Sequence, residues 1–372
     1  MKLKCIENNL LSVNSSFFFL KFIVKCLFTV ILMICKFSSY SYSQSLNTSV
    51  EVIVDTTIFP DGTFKACHAS TIVELSPGKF MAAWFAGSNE GANDVGIWAS
   101  VLYDKKWRTP IEIAKGIDSN GNQLPCWNPV LFKAYNNNLF LFYKVGVNPR
   151  EWWGMVRQST DDGKTWTEPQ ALPKDFLGPI KNKPIQLADG NILCPSSVES
   201  LDTKRWTIHL EITDENLSAW KKIEFEEDTT IGVIQPTILK HIDGKLQMLC
   251  RSRQNLIYQT WSADNGLLWS RLTKTNLPNP NSGIDAVTLD DGSFLLIYNP
   301  LLQGSDWFYG RNVLNVAISD DGLEWKDIYQ LENEKDGEFS YPAVIQAADK
   351  TIHITYTDKR KNIKYVVLKL IK

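Results

Sequence analysis

The sequence has no strong charge of either sign. Its 39 lysine and arginine residues nearly balance its 41 aspartate and glutamate residues, and the formal net charge is −2. The first 43 residues hold five of the lysines and one of the acids, so the remainder has 34 basic and 40 acidic residues. A mildly acidic body lacks the basic surface with which proteins bind nucleic acid. The composition therefore argues against a nucleic-acid partner.

The N-terminal apolar stretch is too short to span a bilayer. Cys26–Cys35 has ten residues, whereas a spanning helix needs about 20. Lysines precede this stretch and small serines follow it, as in a secretory signal peptide. We predict a signal peptide over residues 1–43, a secreted or periplasmic protein, and no stable membrane insertion after cleavage. The alternatives are an uncleaved anchor or a lipid-modified Cys35, although the bulky Ile34 stands where a lipoprotein has a small residue.

Cysteine patterns that bind metal are also lacking. The cysteines that follow residue 43 are too widely spaced for a zinc site; they are Cys67, Cys126, Cys194 and Cys250. Each lies in or beside an apolar run, so we predict buried free thiols, with disulfides as the alternative that export permits. The chain has no metal cluster, phosphate loop or nucleotide motif, and we expect neither a metal nor a cofactor.

What the sequence does contain is a repeat. Each copy has a polar residue, an apolar strand, a turn that often contains Asp-Gly, and a second apolar strand. The copies start at His68, Asn128, Lys183, Gln235, Asp285 and Tyr341. Their spacings are 60, 55, 52, 50 and 56 residues. Units of about 50 residues that contain several short strands are typical of propeller blades.

A second motif runs in phase with the repeat. STDDGKTW (Ser159–Trp166) and SADNGLLW (Ser262–Trp269) fit the pattern S-x-D-x-G-x-x-W. ISDDGLEW (Ile318–Trp325) fits except that Ile318 occupies the serine position. Asp and Gly favour a tight hairpin turn, and the tryptophan can pack across that turn into the blade.

The two patterns together predict an all-β, six-bladed β-propeller formed by one domain over residues 44–372. The last copy is followed by too few strands for a complete blade. Val50–Asp55 is an apolar run in the right place to supply the missing strand and close the ring. No helical period of useful length occurs after the N-terminal segment.

The polar residue at the start of each copy predicts a ligand-binding ring. The first strand of a propeller blade lines the central channel, so its first residue points toward one rim. Polar strand caps would also give this pattern, but six different polar side chains, each ahead of an apolar strand, favour a binding floor. These residues are His68, Asn128, Lys183, Gln235, Asp285 and Tyr341.

Charged residues at strand ends add to this floor. Arg251 follows an apolar strand, and Arg311 heads a strand that leads to one of the boxes. Planar guanidinium groups bind carboxylates with two parallel hydrogen bonds. We therefore predict that Arg251 and Arg311 bind substrate. Other charged strand ends are Lys144, Glu199 and Arg253.

The boxes resemble those of the sialidase-like (Asp-box) superfamily, and the resemblance covers roughly residues 50–371. Sialidases hold a sugar carboxylate with three arginines, and they use a tyrosine nucleophile assisted by a glutamate, with an aspartate as general acid. The resemblance implies that Tyr341 is the nucleophile and Asp94 the acid. It also implies that Arg251 and Arg311 are two of the three arginines.

The sequence departs from the family pattern at two positions. The segment that normally carries the first arginine reads FKACHAST, with Lys65 and His68 in its neighbourhood. Gln235 stands in place of the glutamate, and an amide cannot accept the phenol proton. Glu199 and Glu338 are the candidates to replace it. His68 could act as a general base near neutral pH.

The expected function is therefore an exo-acting glycoside hydrolase of terminal, acidic sugars, with a glycan as the partner. Two alternatives stay open: a lyase or rhamnosidase-like enzyme on uronic-acid glycans, and a glycan-binding propeller without catalysis. Aromatic side chains could stack on sugar rings in each case. The candidates are Trp127, Trp152, Trp153, Trp307, Phe308 and Tyr309.

Overall fold

The computed structural model describes residues 48–226, 228–306 and 308–371. The strands between Ser49 and Ile371 form six antiparallel sheets and one two-stranded ribbon. The first strands of five sheets contact one another in series around a central channel, and the remaining sheet contacts its neighbour through its second strand. The described part of the chain is thus an all-β, six-bladed propeller, as predicted. Among these residues, no helix has the length and apolar character that crossing a membrane requires.

The blades are numbered in chain order, and each is given from the channel outward. Blade 1 consists of β2 (Ala66–Ser76), β3 (Lys79–Gly87), β4 (Gly96–Tyr103), β5 (Lys106–Trp107) and β6 (Ile111–Ala114). Blade 2 consists of β9 (Cys126–Lys133), β10 (Leu139–Val145), β11 (Trp153–Ser159) and β12 (Gln170–Ala171). Blade 3 consists of β13 (Ile185–Gln186), β14 (Ile192–Glu199), β15 (Trp206–Thr213) and β16 (Trp220–Glu224). Blade 4 consists of β17 (Val233–Lys240), β18 (Leu246–Ser252), β19 (Leu256–Ser262) and β20 (Thr273–Pro278). Blade 5 consists of β21 (Asp285–Thr288), β22 (Phe294–Tyr298), β23 (Val313–Ser319) and β24 (Lys326–Asn333). Blade 6 consists of β25 (Phe339–Gln346), β26 (Ile352–Asp358), β27 (Asn362–Ile371) and β1 (Ser49–Thr57). The ribbon joins β7 (Gly116–Ile117) and β8 (Gln123–Leu124).

The ring closes through the first strand of the described chain. β1 pairs with β27 from Ser49 opposite Ile371 to Thr57 opposite Lys364. This confirms that the run Val50–Asp55 completes the last blade. A buried cluster that contains Trp84, Ile363 and Tyr365 then packs blade 6 against blade 1. The predicted signal peptide over residues 1–43 lies outside the described residues.

The second strand of each blade explains the apolar runs of the sequence. All residues of β10 are buried, including Phe140, Phe142 and Tyr143, because neighbouring blades cover both faces of this strand. A strand that is covered on both faces reads as a continuous apolar run. Outer strands such as β24 are largely exposed on one face, so their sequences mix polar and apolar residues.

The boxes form turns on the outside of the propeller. In the first box, Ser159 Oγ donates to Asp161 Oδ1 at 2.8 Å and accepts the Gly163 N–H at 2.8 Å. The box near Trp325 differs from its predicted register, because its serine is Ser319. Ser319 Oγ accepts the Gly322 N–H at 2.8 Å, which is the same contact in a turn that is one residue shorter.

The four cysteines are buried free thiols, as predicted. Burial raises the pKa of Cys67 to about 12 and also raises the pKa of the other three. These thiols stay protonated at neutral pH and pack as small apolar side chains.

Candidate active site at the channel mouth

β-Bulges set the position of the channel-facing residues. The inner strands of four blades each carry one extra residue, so that two residues lie opposite one on the neighbouring strand, and the first of the two has a left-handed backbone. These residues are Ala69 (φ 57°), Asn128 (φ 41°), Gln235 (φ 55°) and Tyr341 (φ 53°). Left-handed backbone is unfavourable for residues with a Cβ, and such bulges cluster at functional sites because they redirect a side chain.

Three members of the predicted ring do not occupy this position. His68 immediately precedes the bulged Ala69. In blade 3, the residue with left-handed backbone is Lys181 (φ 67°) and not Lys183. The repeat pattern predicts Lys183 because a proline follows it, as prolines follow Asn128, Gln235 and Tyr341.

Lys183 and Asp285 form a structural pair instead. Lys183 Nζ lies 2.8 Å from Asp285 Oδ2, and Asp285 also accepts the Thr237 hydroxyl at 2.9 Å and the Val344 N–H at 2.9 Å. A buried carboxylate with this many donors ties the inner strands of blades 3 to 6 together. Neither side chain has a hydrogen bond to Tyr341, Arg251 or Gln235.

Gly283 leaves space for the Lys181 side chain beside Tyr341. A Cβ at Gly283 would lie 2.7 Å from Lys181 Cε and 3.2 Å from Tyr341 Cδ2, so a larger residue there would require the lysine side chain to shift. Lys181 Nζ donates to Ile284 O at 2.8 Å and Pro342 O at 2.7 Å, and burial lowers its pKa to about 7. This lysine packs beneath the site, 5.8 Å from the centre of the Tyr341 ring.

Tyr341 is the centre of the arrangement. Its hydroxyl oxygen accepts hydrogen bonds from Arg251 Nη1 at 2.7 Å and from Gln235 Nε2 at 3.3 Å. Arg251 Nη1 also donates to Gln235 Oε1 at 3.1 Å. The His68 ring lies against the phenol ring, with 4.2 Å between centroids. The structure thus brings together Tyr341, Gln235, Arg251 and His68 from the predicted set.

A group of arginines surrounds this centre. Asn281 links two of them, because its Oδ1 accepts from Arg251 Nε at 3.1 Å and its backbone oxygen accepts from Arg311 Nη2 at 3.1 Å. Arg311 also lies 3.6 Å from Glu338, and burial lowers its pKa to about 10. Both Arg251 and Arg311 therefore face the mouth.

Sequence reasoning missed a third arginine, Arg360. It lies in the turn after β26, where Nε is 3.1 Å from Glu338 Oε2 and Nη1 pairs with Glu90. Burial alone would lower the pKa of Arg360, but the two carboxylates outweigh burial and raise it. The signal was available, because Arg360 follows the second strand of its blade and Arg251 lies at the end of the second strand of blade 4, one residue before the last residue of β18.

His68 is held as a neutral imidazole. Its Nδ1 lies 2.9 Å from Thr357 Oγ1. Burial lowers the pKa of His68 well below its ordinary value, and the cations of Arg360, Arg311 and Arg251 act in the same direction. His68 and Arg360 both line a cavity of about 150 Å³. The same burial and cations oppose protonation, so His68 is a weak base in this position.

Asp94 lies on the exposed loop between β3 and β4. Its carboxylate accepts the Ser88 hydroxyl at 2.8 Å and the Ser88 N–H at 3.0 Å. These hydrogen bonds from Ser88 lower the pKa of Asp94. In this conformation Asp94 is an anion whose oxygens accept hydrogen bonds from Ser88, and it has no hydrogen bond to Tyr341.

Glu199 has the opposite electrostatic environment. It ends β14, and burial raises its pKa against the opposing charges of Arg251, Arg150 and Arg253. A half-buried carboxyl with a raised pKa is suited to donate a proton. Lys144, by contrast, is fully buried and donates to Pro179 O at 2.9 Å, which is a structural contact between blades 2 and 3.

No group of three or more His, Cys, Asp or Glu side chains in the described part of the chain could hold a metal ion. The side chains at the mouth have several chemical capabilities. Guanidinium groups bind an anion, a phenol can act as nucleophile or proton carrier, and an imidazole and a carboxyl can move protons.

The blade count and the serine-aspartate turns define the class as a sialidase-like six-bladed propeller. A family model for the BNR repeat-like domain matches residues 78–354, so the chain belongs to that family. No curated protein matches the sequence.

Solved structures with the same fold have low sequence identity to this chain. A protein of unknown function from Dyadobacter fermentans has 16% identity and a TM-score of 0.70, over 87% of this chain and 100% of that one. A Hadza microbial sialidase has 15% identity and a TM-score of 0.69, over 84% and 68% of the two chains. The intramolecular trans-sialidase of Ruminococcus gnavus, solved with oseltamivir carboxylate, has 15% identity and a TM-score of 0.62, over 87% and 98%.

Proposed function

We propose that the protein is an exo-acting glycoside hydrolase that removes a terminal acidic sugar from glycans. One observation carries the proposal: the Tyr341 hydroxyl accepts a 2.7 Å hydrogen bond from Arg251 in a channel mouth that Arg311 and Arg360 also face. A potential nucleophile next to several guanidinium groups suits a sugar that carries a carboxylate beside its reacting carbon. The sialidase fold of two of the structural neighbours supports this reading.

The proposed reaction uses these groups in sequence. The guanidinium groups hold the sugar carboxylate, and the Tyr341 oxygen attacks the anomeric carbon as the glycosidic C–O bond breaks. The phenol proton leaves to solvent at the mouth, because Gln235 cannot accept it and burial beside several guanidinium groups makes His68 a weak base. The leaving oxygen receives a proton from Glu199 or Asp94, and water then releases the sugar from Tyr341.

The test is a panel of aryl sialosides, uronides and rhamnosides, assayed with the wild type and with Tyr341→Phe. We expect turnover of an acidic glycoside by the wild type and a loss of about 10³-fold or more in kcat for the variant. Asp94→Asn tests the other predicted catalytic residue. A wild type that binds a glycan but turns nothing over, or turnover that Tyr341→Phe leaves unchanged, would reject the hydrolase in favour of a glycan-binding propeller.

A β-eliminating lyase on uronic-acid glycans is the second candidate. Gln235 favours it, because this amide lies between Arg251 and Tyr341 where a hydrolase of this type has a carboxylate. An amide and an arginine can neutralise a uronate carboxylate while Tyr341 moves a proton. Ultraviolet absorbance separates the two reactions, since a lyase forms an unsaturated uronate and a hydrolase does not.

A further inference from the structure

A second cavity lies beside the channel mouth, between blades 3 and 4. Its volume is about 420 Å³. The start of β15, the segment before β17 and the turn between β18 and β19 form its walls, with Trp206, Thr230, Arg253 and Gln254 among the lining residues. Gln254 holds two walls together, since its Nε2 donates to Thr230 O at 3.2 Å and its Oε1 accepts the Gly232 N–H at 3.3 Å.

Trp206 lines this cavity and also lies close to the mouth. The guanidinium carbon of Arg251 lies 5.5 Å from the centre of the indole ring, and that of Arg253 lies 4.0 Å from it. Arg251 is the residue that donates to the Tyr341 hydroxyl. The arginine of the mouth and the arginine of the cavity are therefore neighbours of the same indole ring.

Basic residues outnumber acidic ones among the described residues that line the cavity. The bases are Lys204, Arg205 and Arg253, and the acids are Glu226 and Asp228. Glu226 pairs with Arg271 at 2.5 Å, and Asp228 accepts the Thr230 hydroxyl at 2.6 Å.

Arg253 is arranged to bind an anion. Its Nη1 donates to Lys204 O at 3.1 Å, which leaves further N–H groups of the guanidinium fork for a ligand. Stacking on the indole ring fixes the plane of this fork, so less side-chain entropy is lost when a carboxylate or sulfate binds.

We propose that this cavity is a second sugar subsite, which binds an anionic residue next to the terminal sugar held in the mouth. The proposal rests on the proposed function for the position of the terminal sugar. It narrows the substrate class to glycans in which a carboxylated or sulfated residue stands next to the terminal unit.

Calorimetry with the full protein tests the proposal. The probes are oligosaccharides of sialate, galacturonate and chondroitin sulfate, each compared with the acidic monosaccharide at its end. We expect at least one oligosaccharide to bind about 10-fold or more tightly than its monosaccharide, as one charge-assisted contact can provide. Arg253→Gln should remove most of this difference without changing monosaccharide binding, and Arg253→Lys should restore part of it. Lys245→Gln, which removes one exposed charge from another surface of blade 4, is the control and should change nothing.

The outcomes separate the two proposals. Equal binding of oligosaccharide and monosaccharide, no binding of any oligosaccharide, or a difference that persists in Arg253→Gln overturns the subsite. Binding that depends on Arg253, in a protein that turns over no glycoside, keeps the subsite and rejects the hydrolase. Turnover of a terminal sugar without any effect of Arg253 keeps the hydrolase and rejects the subsite.

Discussion

Two carboxyl groups are candidates for the proton donor of the proposed reaction, and their environments differ. Asp94 is exposed and has a lowered pKa, because Ser88 donates two hydrogen bonds to it. Glu199 is half-buried and has a raised pKa, because burial disfavours its charged form. A general acid must hold its proton near the working pH. The environment of the side chains therefore favours Glu199, whereas the family resemblance favours Asp94.

We expect Glu199→Gln to lower kcat by about 10²-fold or more on a glycoside with a poor leaving group, in line with the usual contribution of acid catalysis. A substrate with a good leaving group needs no proton, so its turnover should fall much less. Asp94→Asn is the matched variant. The assignment fails if Asp94→Asn shows this dependence on the leaving group and Glu199→Gln does not.

Arg360 gives a second prediction at this scale. Replacing it with glutamine should raise KM for an acidic glycoside by about 10-fold or more, since a charge-assisted hydrogen bond contributes about 1.5–3 kcal/mol. A neutral rhamnoside should be unaffected if it is turned over. Arg360→Lys should recover part of the loss, and equal losses on acidic and neutral substrates would indicate a structural role through Glu90 and Glu338.

The residues show how far sequence reasoning reaches into the site. Tyr341, Gln235 and Arg251 could be found because a repeat fixes their phase. Lys181 could not, because Lys183 stands before the proline that marks the other blades. Arg360 follows the second strand of the last blade, and a charged residue at this place was predicted to bind substrate in blade 4, where it is Arg251. The Ser88 hydrogen bonds of Asp94 have no sequence signal, since they depend on how one loop folds.

At the scale of elements, a buried histidine couples the contact between blades 1 and 6 to pH. His353 on β26 stacks on Phe80 of β3, with 4.0 Å between ring centroids, and its Nδ1 lies 2.7 Å from the Tyr365 hydroxyl. Burial lowers the pKa of His353 from 6.5 to about 4, against the opposing charge of Asp349. The folded protein therefore holds this imidazole uncharged at pH values where the unfolded chain binds a proton.

Stability should consequently fall as the pH is lowered from 6.5 toward 4. The His353 contribution between pH 7.5 and pH 5 is about 2 kcal/mol, by linkage between the two pKa values. Urea unfolding at the two pH values measures it. His353→Asn keeps a donor near Tyr365 but does not titrate, so its pH dependence should be smaller by about this amount. An unchanged pH dependence in this variant would contradict the prediction.

The elements themselves were largely predictable. Turn chemistry and tryptophan spacing fix the third and fourth strands, and apolar runs fix the second. The serine of the box near Trp325 was predicted one residue too early, at position 318. The turn after Ser319 is one residue shorter, which changes the motif but keeps the hydrogen bond from the Gly322 N–H to Ser319 Oγ. The bulges were not predictable, since a left-handed backbone at Gln235 or Tyr341 depends on packing around the channel.

At the scale of the whole molecule, the ring depends on β1. A chain that starts at residue 58 lacks this strand and exposes the edge of β27. We expect it to lose on the order of 3–5 kcal/mol of stability, because several backbone hydrogen bonds disappear at roughly 1 kcal/mol each. A free strand edge should also promote association. The control starts at residue 44, where we propose that the exported protein begins. Equal urea midpoints and equal elution volumes for the two chains would contradict the prediction.

The pairing of β1 with β27 also sets an order of events during synthesis. Among the described strands, β1 is synthesised before all others, but its partner β27 is synthesised last. Contacts between such distant parts of a chain form slowly. Tyr341 and Arg360 belong to the same late blade, so an unfinished chain has neither a closed ring nor a complete mouth. The closing strand thus makes synthesis as far as the last blade a precondition for a complete mouth.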